Sequence, residues 1–284
     1  MADVVSGFNV LAKLGDGARS QVYRVIRPET GEVFALKRVI RDAGEDSRFL
    51  DQAINEWEVS SRVTHPYLRR IYELKRIKRL LKLAEVQVVM EYVDGVSLDK
   101  ARPTQVPKVV DLFCKVAQGL LAMHEVGFLH ADIKPNNILI AYDGSVRIID
   151  FGQCCPIGFR KHRIQGTPDY IAPEQVERQP LSTQTDVYNF GATFYWALTG
   201  RPLPTVLSKT SGKLEVGGPI SAPTPHELNP EVPPVFSKLV MDCCEFDRKN
   251  RPRDMKDVIR RLEFGIEVLR RDQAIGLADS GEAT

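Results

Sequence analysis

The chain has 284 residues, of which 43% are hydrophobic and 27% are charged, so its composition is that of a globular protein and excludes global disorder. Lysine and arginine total 39 against 37 aspartates and glutamates, and this net charge of +2 gives no indication of nucleic-acid binding. Charged or polar side chains interrupt every long apolar stretch, and the N-terminal residues lack the pattern of a secretion signal. We therefore expect no membrane span, a cytoplasmic location, and reduced thiols at the five cysteines.

Short runs of alternating apolar and polar side chains fill most of the first ninety residues, which is typical of β-strands. The predicted strands are residues 8–15, 21–28, 32–40, 70–76 and 86–92. Glycine-containing turns separate the first three, so we expect an antiparallel meander. Between the third and fourth strands a helical pattern runs from about Ser47 to Val63, and it ends there because the residue before Pro66 leaves the helical region.

Beyond the predicted sheet the pattern changes to helical spacing. Apolar side chains from Val109 to Leu121 recur every three or four residues and predict a long buried helix. The remaining chain is mostly helical in pattern, with short strands at 138–141 and 146–150, and residues 201–234 have the composition of loops. The sequence therefore predicts a small β-rich unit followed by a larger helical unit.

Two features of the β-rich unit are compatible with phosphate binding. Gly15 and Gly17 lie in a turn between strands, where glycine lets backbone amides approach a phosphate, although any tight turn can be rich in glycine. Lys37 lies in an otherwise apolar strand, where a buried charge requires an anion such as Glu56 or a phosphate. A lysine that extends to solvent explains the same residue equally well.

A more specific set of polar residues follows the long helix. Asp132, Lys134 and Asn137 lie in one predicted loop and supply a proton acceptor, a cation and a metal-binding amide. Asp150, which precedes Phe-Gly, then places a second carboxylate at the end of a strand. An ordered set of this kind is very improbable by chance, so it indicates a catalytic site.

With these motifs the sequence resembles the eukaryotic-type Ser/Thr protein kinase family, particularly its bacterial members, from about Phe8 to Leu262. The resemblance implies an α+β, two-lobed fold with ATP and Mg²⁺ bound between the lobes. The N-terminal lobe, residues 8–92, is expected to be a small antiparallel β-sheet with one helix. The C-terminal lobe, residues 93–271, is expected to be larger and mainly helical, and residues 272–284 to form a flexible tail.

The resemblance also implies a role for each motif residue. Asp132 matches the catalytic base, Lys134 and Lys37 match cations that offset phosphate charge, and Glu56 matches the partner of Lys37. Asn137 and Asp150 match the metal ligands. The residues that match the nucleotide-binding positions are Gly15, Gly17, Ser20, Val22, Ala35, Lys37, Met90, Glu91, Val93 and Leu139.

Further matches concern the substrate and the supporting structure. Glu174, in Ala-Pro-Glu, and Arg251 match the ion pair that supports the family's platform for protein substrates. Asp186 matches the buried carboxylate that braces the catalytic loop. Lys134 and Thr167 match members that phosphorylate serine and threonine, so we expect protein substrates with Ser/Thr acceptors.

Two departures from the family pattern concern regulation. Ala131 stands where the family commonly has an arginine that holds a phosphorylated activation loop. The segment Gln153–Gln165 contains no serine, threonine or tyrosine. A phosphate switch requires both an acceptor and a cationic partner, so we expect activity that does not require phosphorylation of the activation loop.

Two other functions stay open for a chain of this pattern, a pseudokinase that acts as a binding scaffold and a small-molecule phosphotransferase of related fold. The presence of Lys37, Asp132 and Asp150 disfavours the first. The pair Glu174 and Arg251 disfavours the second, because it supports a protein-substrate platform.

The basic run from Arg69 to Lys82 and the adjacent cysteine pairs carry weaker expectations. The run is interpreted as a solvated hairpin, with a docking surface for an acidic partner as the alternative. Cys154-Cys155 and Cys243-Cys244 lack the spacing of zinc ligands, so we expect structural thiols, with a redox-sensitive Cys154 or Cys155 as the alternative.

Overall fold

The computed structural model describes residues 4–5, 7–17, 19–41, 47–204, 207–210, 213–216 and 221–281. The chain divides into two compact units. The smaller comprises the residues up to Val96 together with Leu139–Cys154, and the larger comprises Ser97–Ile138 together with the residues from Cys155 onward.

Within the described residues the strands are β1 Val4–Val5, β2 Phe8–Asp16, β3 Ser20–Ile26, β4 Val33–Ile40, β5 Ile71–Arg79, β6 Lys82–Glu91, β7 Gly95–Ser97, β8 Phe128–Leu129, β9 Ile138–Ala141, β10 Val146–Ile148, β11 Cys155–Pro156, β12 Leu207–Thr210 and β13 Lys213–Val216. The α-helices are α1 Arg48–Ser60, α2 Val106–Glu125, α3 Pro173–Val176, α4 Thr183–Thr199, α5 Pro225–Leu228, α6 Pro234–Cys243 and α7 Met255–Gly281. Short 3₁₀ turns occupy Pro135–Asn137, Phe151–Gln153 and Arg248–Asn250.

The smaller unit is built on a sheet of strand order β1-β2-β3-β4-β6-β5, in which every neighbouring pair is antiparallel. The predicted meander is therefore confirmed as β2, β3 and β4. Alternation along β4 places Phe34 and Leu36 in an apolar cluster on one face, while Val39 packs with α1 on the other. Lys37, two residues before Val39, accordingly points to the face that α1 covers.

Helix α1 forms where the sequence predicts it and presents one side to the sheet. Its buried residues include Leu50, Ala53, Glu56 and Val59, which recur at the three-residue spacing of one helix face. Glu56 is the charged member of this apolar stripe. Its burial requires a partner, because an unpaired charge removed from water is strongly unfavourable.

The segment Leu139–Cys154 lies in the smaller unit, whereas the sequence assigned it to the C-terminal lobe. Backbone hydrogen bonds account for this difference. The amide of Ile148 donates to Tyr67 O at 2.8 Å, and the amide of Tyr142 donates to Asp94 O at 2.9 Å. Strands β10 and β9 also extend a three-stranded sheet with β7. These long-range pairings leave no local signal in the sequence.

The larger unit is mainly helical, as predicted, and its core is formed by α2 and α4. The Phe113 ring of α2 stacks on Phe194 of α4 with centroids 4.3 Å apart, and it meets Phe190 edge-on. Helix α4 approaches α6 closely because Gly191 has no side chain, since a Cβ at this position would lie 2.5 Å from Cβ of buried Cys243. The glycine therefore determines how tightly these two helices pack.

Two predictions for the C-terminal half differ from the structure. The predicted loop 201–234 contains the antiparallel pair β12 and β13, the short helix α5 and the first residue of α6. Residues 205–206, 211–212 and 217–220 of this range lie outside the described residues. Helix α7 runs to Gly281, into the segment predicted as a tail, because a helix once nucleated extends at little cost. The last three residues of that tail are also outside the described part. Across the described ranges, no helix is long and apolar enough to cross a membrane.

Candidate active site

In the smaller unit, Lys37 on β4 and Glu56 on α1 form a direct ion pair. Lys37 Nζ lies 2.7 Å from Glu56 Oε2, and the Glu56 side chain is completely buried. Burial alone would lower the pKa of Lys37, but the charges of Glu56 and Asp150 outweigh it, so the pKa is raised and the cation is favoured. The pairing that the sequence predicted is therefore present, and the alternative of a lysine extending to solvent is wrong.

Glu56 has a second cationic partner that the sequence did not indicate. Arg69 Nη2 lies 3.3 Å from Glu56 Oε1, and Arg69 is itself buried. Arg69 therefore does not belong to the solvated basic run in which the sequence placed it. Its positive charge stabilises the Glu56 carboxylate, because a fully buried carboxylate is stable only when both of its oxygens have donors.

Asp150 has a strained backbone and a partly exposed carboxylate. Its φ of 67° lies in the left-handed region, which is unfavourable for a residue other than glycine and is often found at functional sites. Its Oδ1 is 3.7 Å from Lys37 Nζ, and its side chain is 42% exposed. Asn55 of α1 holds the following turn by donating to Cys154 O at 2.9 Å and to Phe151 O at 3.2 Å.

The residues predicted to contact a nucleotide lie mostly on three adjacent strands of the smaller unit. Val22 pairs with Lys37 across β3 and β4, and Ala35 pairs with Met90 across β4 and β6. In the turn between β2 and β3, the amide of Gly17 donates to Ser20 O at 2.7 Å, and a Cβ on Gly17 would lie 2.5 Å from Ser20 Oγ. A larger residue at position 17 would therefore force the Ser20 hydroxyl to rotate away.

The predicted nucleotide-binding residues at and beyond the end of β6 have more varied surroundings. Glu91, at the end of β6, accepts from Arg147 Nε at 3.0 Å and from the amide of Arg70 at 3.2 Å, so its carboxylate is engaged within the unit. Val93 lies two residues after Glu91 and is half-buried, and Leu139 lies on β9 in the same unit. The amide of Glu91 also donates to Arg70 O at 2.9 Å, so both this amide and the side chain are engaged within the unit.

In the larger unit, three side chains form a closed triangle of hydrogen bonds around Asp132. Lys134 Nζ lies 2.9 Å from Asp132 Oδ2 and 2.8 Å from Thr167 Oγ1, and the Thr167 hydroxyl donates to Asp132 Oδ1 at 3.2 Å. Thr167 donates its only hydroxyl proton to Asp132, so the Thr167 oxygen acts as the acceptor for Lys134. Asp132 is buried, and among the described residues the donors to its carboxylate are the side chains of Lys134, Thr167 and, at 3.4 Å, Asn137.

The backbone around Asp132 is fixed by a second carboxylate, Asp186 of α4. Its oxygens accept from the amide of His130 at 2.9 Å, the amide of Ala131 at 2.7 Å and His124 Nε2 at 2.8 Å. Burial alone would raise the pKa of Asp186, but these hydrogen bonds and the nearby imidazoles outweigh it and lower the pKa. Asp186 thereby holds Ala131 at a left-handed φ of 59°.

The predicted pair of Glu174 and Arg251 is also present, with both carboxylate oxygens engaged. Arg251 Nη1 and Nη2 lie 2.8 and 3.0 Å from the two oxygens of Glu174. The Thr185 hydroxyl adds a bond at 2.9 Å, and the guanidinium of Arg251 lies 4.9 Å from the ring centre of Tyr188. This bidentate pair is buried and ties helix α3 to the turn before α7.

The comparison with protein families identifies the arrangement. Residues 8–261 match the family described as the protein kinase domain. This chain belongs to the protein kinase family. The match covers both units described above.

Relatives of this chain include bacterial proteins named as serine/threonine-protein kinases. A probable serine/threonine-protein kinase of Clostridium acetobutylicum is 25% identical over 263 residues, which is 90% of this chain and 39% of that protein. Serine/threonine-protein kinase PknD of Chlamydia pneumoniae is 26% identical over 293 residues, covering 90% of this chain and 31% of PknD. The chain therefore spans well under half the length of these relatives.

A solved structure supports the fold of this kinase. The crystal structure of the Mycobacterium tuberculosis PknI kinase domain has a TM-score of 0.70, with 21% identity, and covers 92% of this chain and 97% of that chain. At this identity the likeness concerns the fold alone. It confirms the predicted α+β kinase fold, with an antiparallel N-terminal sheet and a larger helical part.

Gln175, which no sequence motif indicates as a functional residue, links three segments of the larger unit. Gln175, immediately after Ala-Pro-Glu, donates from Nε2 to Ala131 O at 2.9 Å, and its Oε1 accepts from the amide of Ala172 and from Asn189, both at 2.9 Å. It is nearly fully buried. A glutamine next to a recognised motif gives no sign in the sequence that its partners lie so far along the chain.

The residues of this kinase that match metal ligands have suitable chemistry. Asn137 Nδ2 donates to Asp132 O at 2.8 Å, which leaves its amide oxygen as the atom available to a cation. Asp150 contributes a carboxylate. Mg²⁺ prefers oxygen ligands and is commonly bound by one or two protein side chains together with substrate phosphates. Among the described residues, no group of three or more His, Cys, Asp or Glu side chains could hold a metal by itself.

The cysteines of the kinase have the character of structural thiols. All five are free, and Cys154 and Cys155 are both buried. Burial raises the pKa of Cys155 to about 11, so the thiol rather than the reactive thiolate is present near neutral pH. Cys155 lies on β11, which pairs with Leu129 of β8, and it packs in a cluster with Ala131 and Leu181.

Proposed function

We propose that this chain is a Ser/Thr protein kinase, which transfers the γ-phosphate of ATP to serine and threonine hydroxyls of protein substrates. The observation that carries the proposal is the triangle of Asp132, Lys134 and Thr167. It combines a proton acceptor, a cation and a hydroxyl that fixes the acceptor, as phosphoryl transfer to an alcohol requires. Membership in the protein kinase family and the names of the relatives support the same reaction.

In the proposed mechanism, Asp132 orients the substrate hydroxyl and accepts its proton. Lys134 lies within 2.9 Å of Asp132 and offsets the charge that develops on the transferred group, and Lys37 does the same for the phosphates that remain. Asn137 and Asp150 would hold Mg²⁺, which supplies positive charge to the phosphates when it is bound. The protein contributes mainly positioning and electrostatic stabilisation, because phosphoryl transfer requires little covalent chemistry of it.

The proposed nucleotide site draws on the strands of the smaller unit. Apolar side chains would contact the adenine, and backbone groups that follow Met90 would bind its polar edge. The residues assigned to it are Gly15, Gly17, Ser20, Val22, Ala35, Lys37, Met90, Glu91, Val93 and Leu139. The pairing of Ala35 with Met90 and the short turn at Gly17 support this assignment.

The test is transfer of labelled phosphate from ATP, with Mg²⁺, to generic protein substrates. Asp132→Asn removes the proton acceptor but keeps the shape, so we expect activity to fall about a thousandfold while nucleotide binding and folding are retained. Asp111→Asn is the matched control, because Asp111 is 66% exposed on α2 and pairs only with Lys115 one turn away. This control is expected to keep full activity.

The same assay separates the two alternative functions. Undiminished transfer by Asp132→Asn would contradict the proposed mechanism. Nucleotide binding without transfer by the unaltered chain would favour the scaffold. Transfer to small alcohols or amines but to no protein would favour the small-molecule phosphotransferase.

We further propose that activity does not require phosphorylation of the activation loop. Ala131 provides no cation, and it packs in an apolar cluster with Leu129, Cys155 and Leu181, so the position is filled by hydrocarbon. Gln153–Gln165 offers no hydroxyl to phosphorylate. Thr167, the nearest one beyond this segment, is already bonded to Asp132 and Lys134.

The corresponding experiment treats the purified chain with a phosphatase and confirms its removal of phosphate by mass spectrometry. The phosphatase is then removed and the initial rate is measured. We expect the rate to equal that of the untreated chain, without a lag. A lag that ends as Thr167 becomes phosphorylated would contradict this proposal.

We also propose a cytoplasmic location, because five free cysteines fit a reducing compartment.

A further inference from the structure

The turn between β5 and β6 breaks several rules of local structure at one place. Leu80 and Leu81 form its two-residue loop, and they are 97% and 94% exposed. Both have positive φ, 48° and 67°, as a type I′ turn requires. Asn-Gly is the preferred sequence for this turn, and a leucine with positive φ is strained.

The residues next to the leucines add a second conflict. Arg79 and Lys82 are directly opposed in the register of the hairpin, and like charges in that position destabilise a strand pair. Arg76 and Lys78 on β5 are also exposed. Within the part of the chain that the structure describes, none of these four cations forms an ion pair. Exposed leucines, strained backbone and opposed cations occurring together indicate a functional surface rather than a structural one.

The directions of the cations indicate what the surface contacts. Successive residues of a strand point to opposite faces, so Lys78 extends from one face of the hairpin while Arg79, with its partner Lys82, extends from the other. The apolar tip is therefore flanked by positive charge on both sides. A groove on a protein would contact chiefly one face of the hairpin, whereas a planar surface approached end-on meets both.

We infer that the β5–β6 hairpin docks on an anionic lipid bilayer. The leucines would enter the boundary between headgroups and acyl chains, and the four cations would lie against anionic headgroups. Apolar burial combined with basic residues is how peripheral proteins bind such surfaces without spanning them. The proposed surface is smaller than the basic run Arg69 to Lys82 that the sequence suggests for docking. Arg69 is excluded from it because this residue is buried against Glu56.

Co-sedimentation of the full chain with vesicles tests this inference independently of kinase activity. We expect binding to phosphatidylcholine vesicles that contain phosphatidylserine, weakening as salt is raised, and at least about tenfold weaker binding to pure phosphatidylcholine. The double variant Leu80→Asn with Leu81→Gly removes the apolar tip and supplies the preferred turn residues. It is expected to lose about tenfold or more in vesicle binding, with a thermal midpoint that is unchanged or raised.

Two further variants complete the design. Arg79→Gln with Lys82→Gln removes the opposed charges and is expected to weaken binding about fivefold for each cation. Phe264→Ser is the control, because Phe264 is a 63% exposed apolar side chain on α7. The arginines one turn before it, Arg260 and Arg261, are both ion-paired with Asp257, so removal of Phe264 should leave binding unchanged. Absence of vesicle binding by the unaltered chain, or equal binding by the Asn-Gly variant, would overturn the inference. Binding to an acidic glutamate-rich peptide in place of vesicles would also overturn it, in favour of a protein partner.

Discussion

Asp132 and Asp186 are two buried carboxylates of the larger unit whose hydrogen bonds differ in kind. Asp186 accepts from two backbone amides, which cannot leave without moving the chain, and from the buried side chain of His124. Asp132 accepts from the side chains of Lys134 and Thr167, which can rotate away while the backbone stays in place. The difference separates a carboxylate that holds structure from one that can exchange its partners for a substrate.

This comparison shows why burial alone does not identify a reactive group. Both aspartates are buried, and Asp186 is the less accessible of the two, with no exposed surface. A proton acceptor in catalysis must release one hydrogen bond to receive another. The identity of the donors, backbone or side chain, therefore distinguishes the two roles better than the environment of the carboxylates.

The largest effect on stability is expected from Asp186→Ala. Removing this carboxylate leaves the amides of His130 and Ala131 buried without acceptors, so we expect the free energy of unfolding to fall by about 3–5 kcal/mol. Urea unfolding of the full chain measures it. Asp111→Ala is the exposed control and should change the free energy by no more than about 0.5 kcal/mol. A loss below about 1 kcal/mol for Asp186→Ala would mean that Asp186 is not the brace of this loop.

A smaller effect, on activity rather than stability, is expected from Thr167→Val. Valine keeps the shape of threonine but removes the hydroxyl that fixes Asp132, so we expect kcat for a peptide substrate to fall about tenfold. The thermal midpoint should stay close to that of the unaltered chain, because Thr167 is only half-buried. Thr167→Ser restores the hydroxyl and should restore most of the rate. Equal rates for the valine and serine variants would contradict the positioning role and weaken the contrast with Asp186.

Much of the site could be predicted from the sequence because it consists of motifs with a fixed order. Lys37 with Glu56, and Glu174 with Arg251, were paired from the family pattern, and the structure places both pairs within 2.8 Å. The strand meander and the long helix α2 followed from periodicity alone. These features are encoded by residue type and spacing along the chain, which a sequence displays directly.

The remaining features depend on contacts between distant segments. Arg69 was assigned to a solvated run because its neighbours in sequence are basic, whereas its position beside Glu56 depends on how β5 meets α1. Gln175 gave no signal, since a buried glutamine is recognised only by its partners. The assignment of Leu139–Cys154 to the smaller unit likewise depends on strand pairing across the chain. None of these follows from local propensity.

The close packing of α4 and α6 at Gly191 makes the Cys243 thiol a reporter of local opening in the larger unit. Cys243 is fully enclosed there, and burial holds the pKa of its thiol well above the usual range. A thiol reagent needs both access and the ionised sulfur, so Cys243 is labelled only in molecules whose helices have separated. The alkylation rate of Cys243 in the native protein therefore measures how readily α4 and α6 separate, in the absence of denaturant.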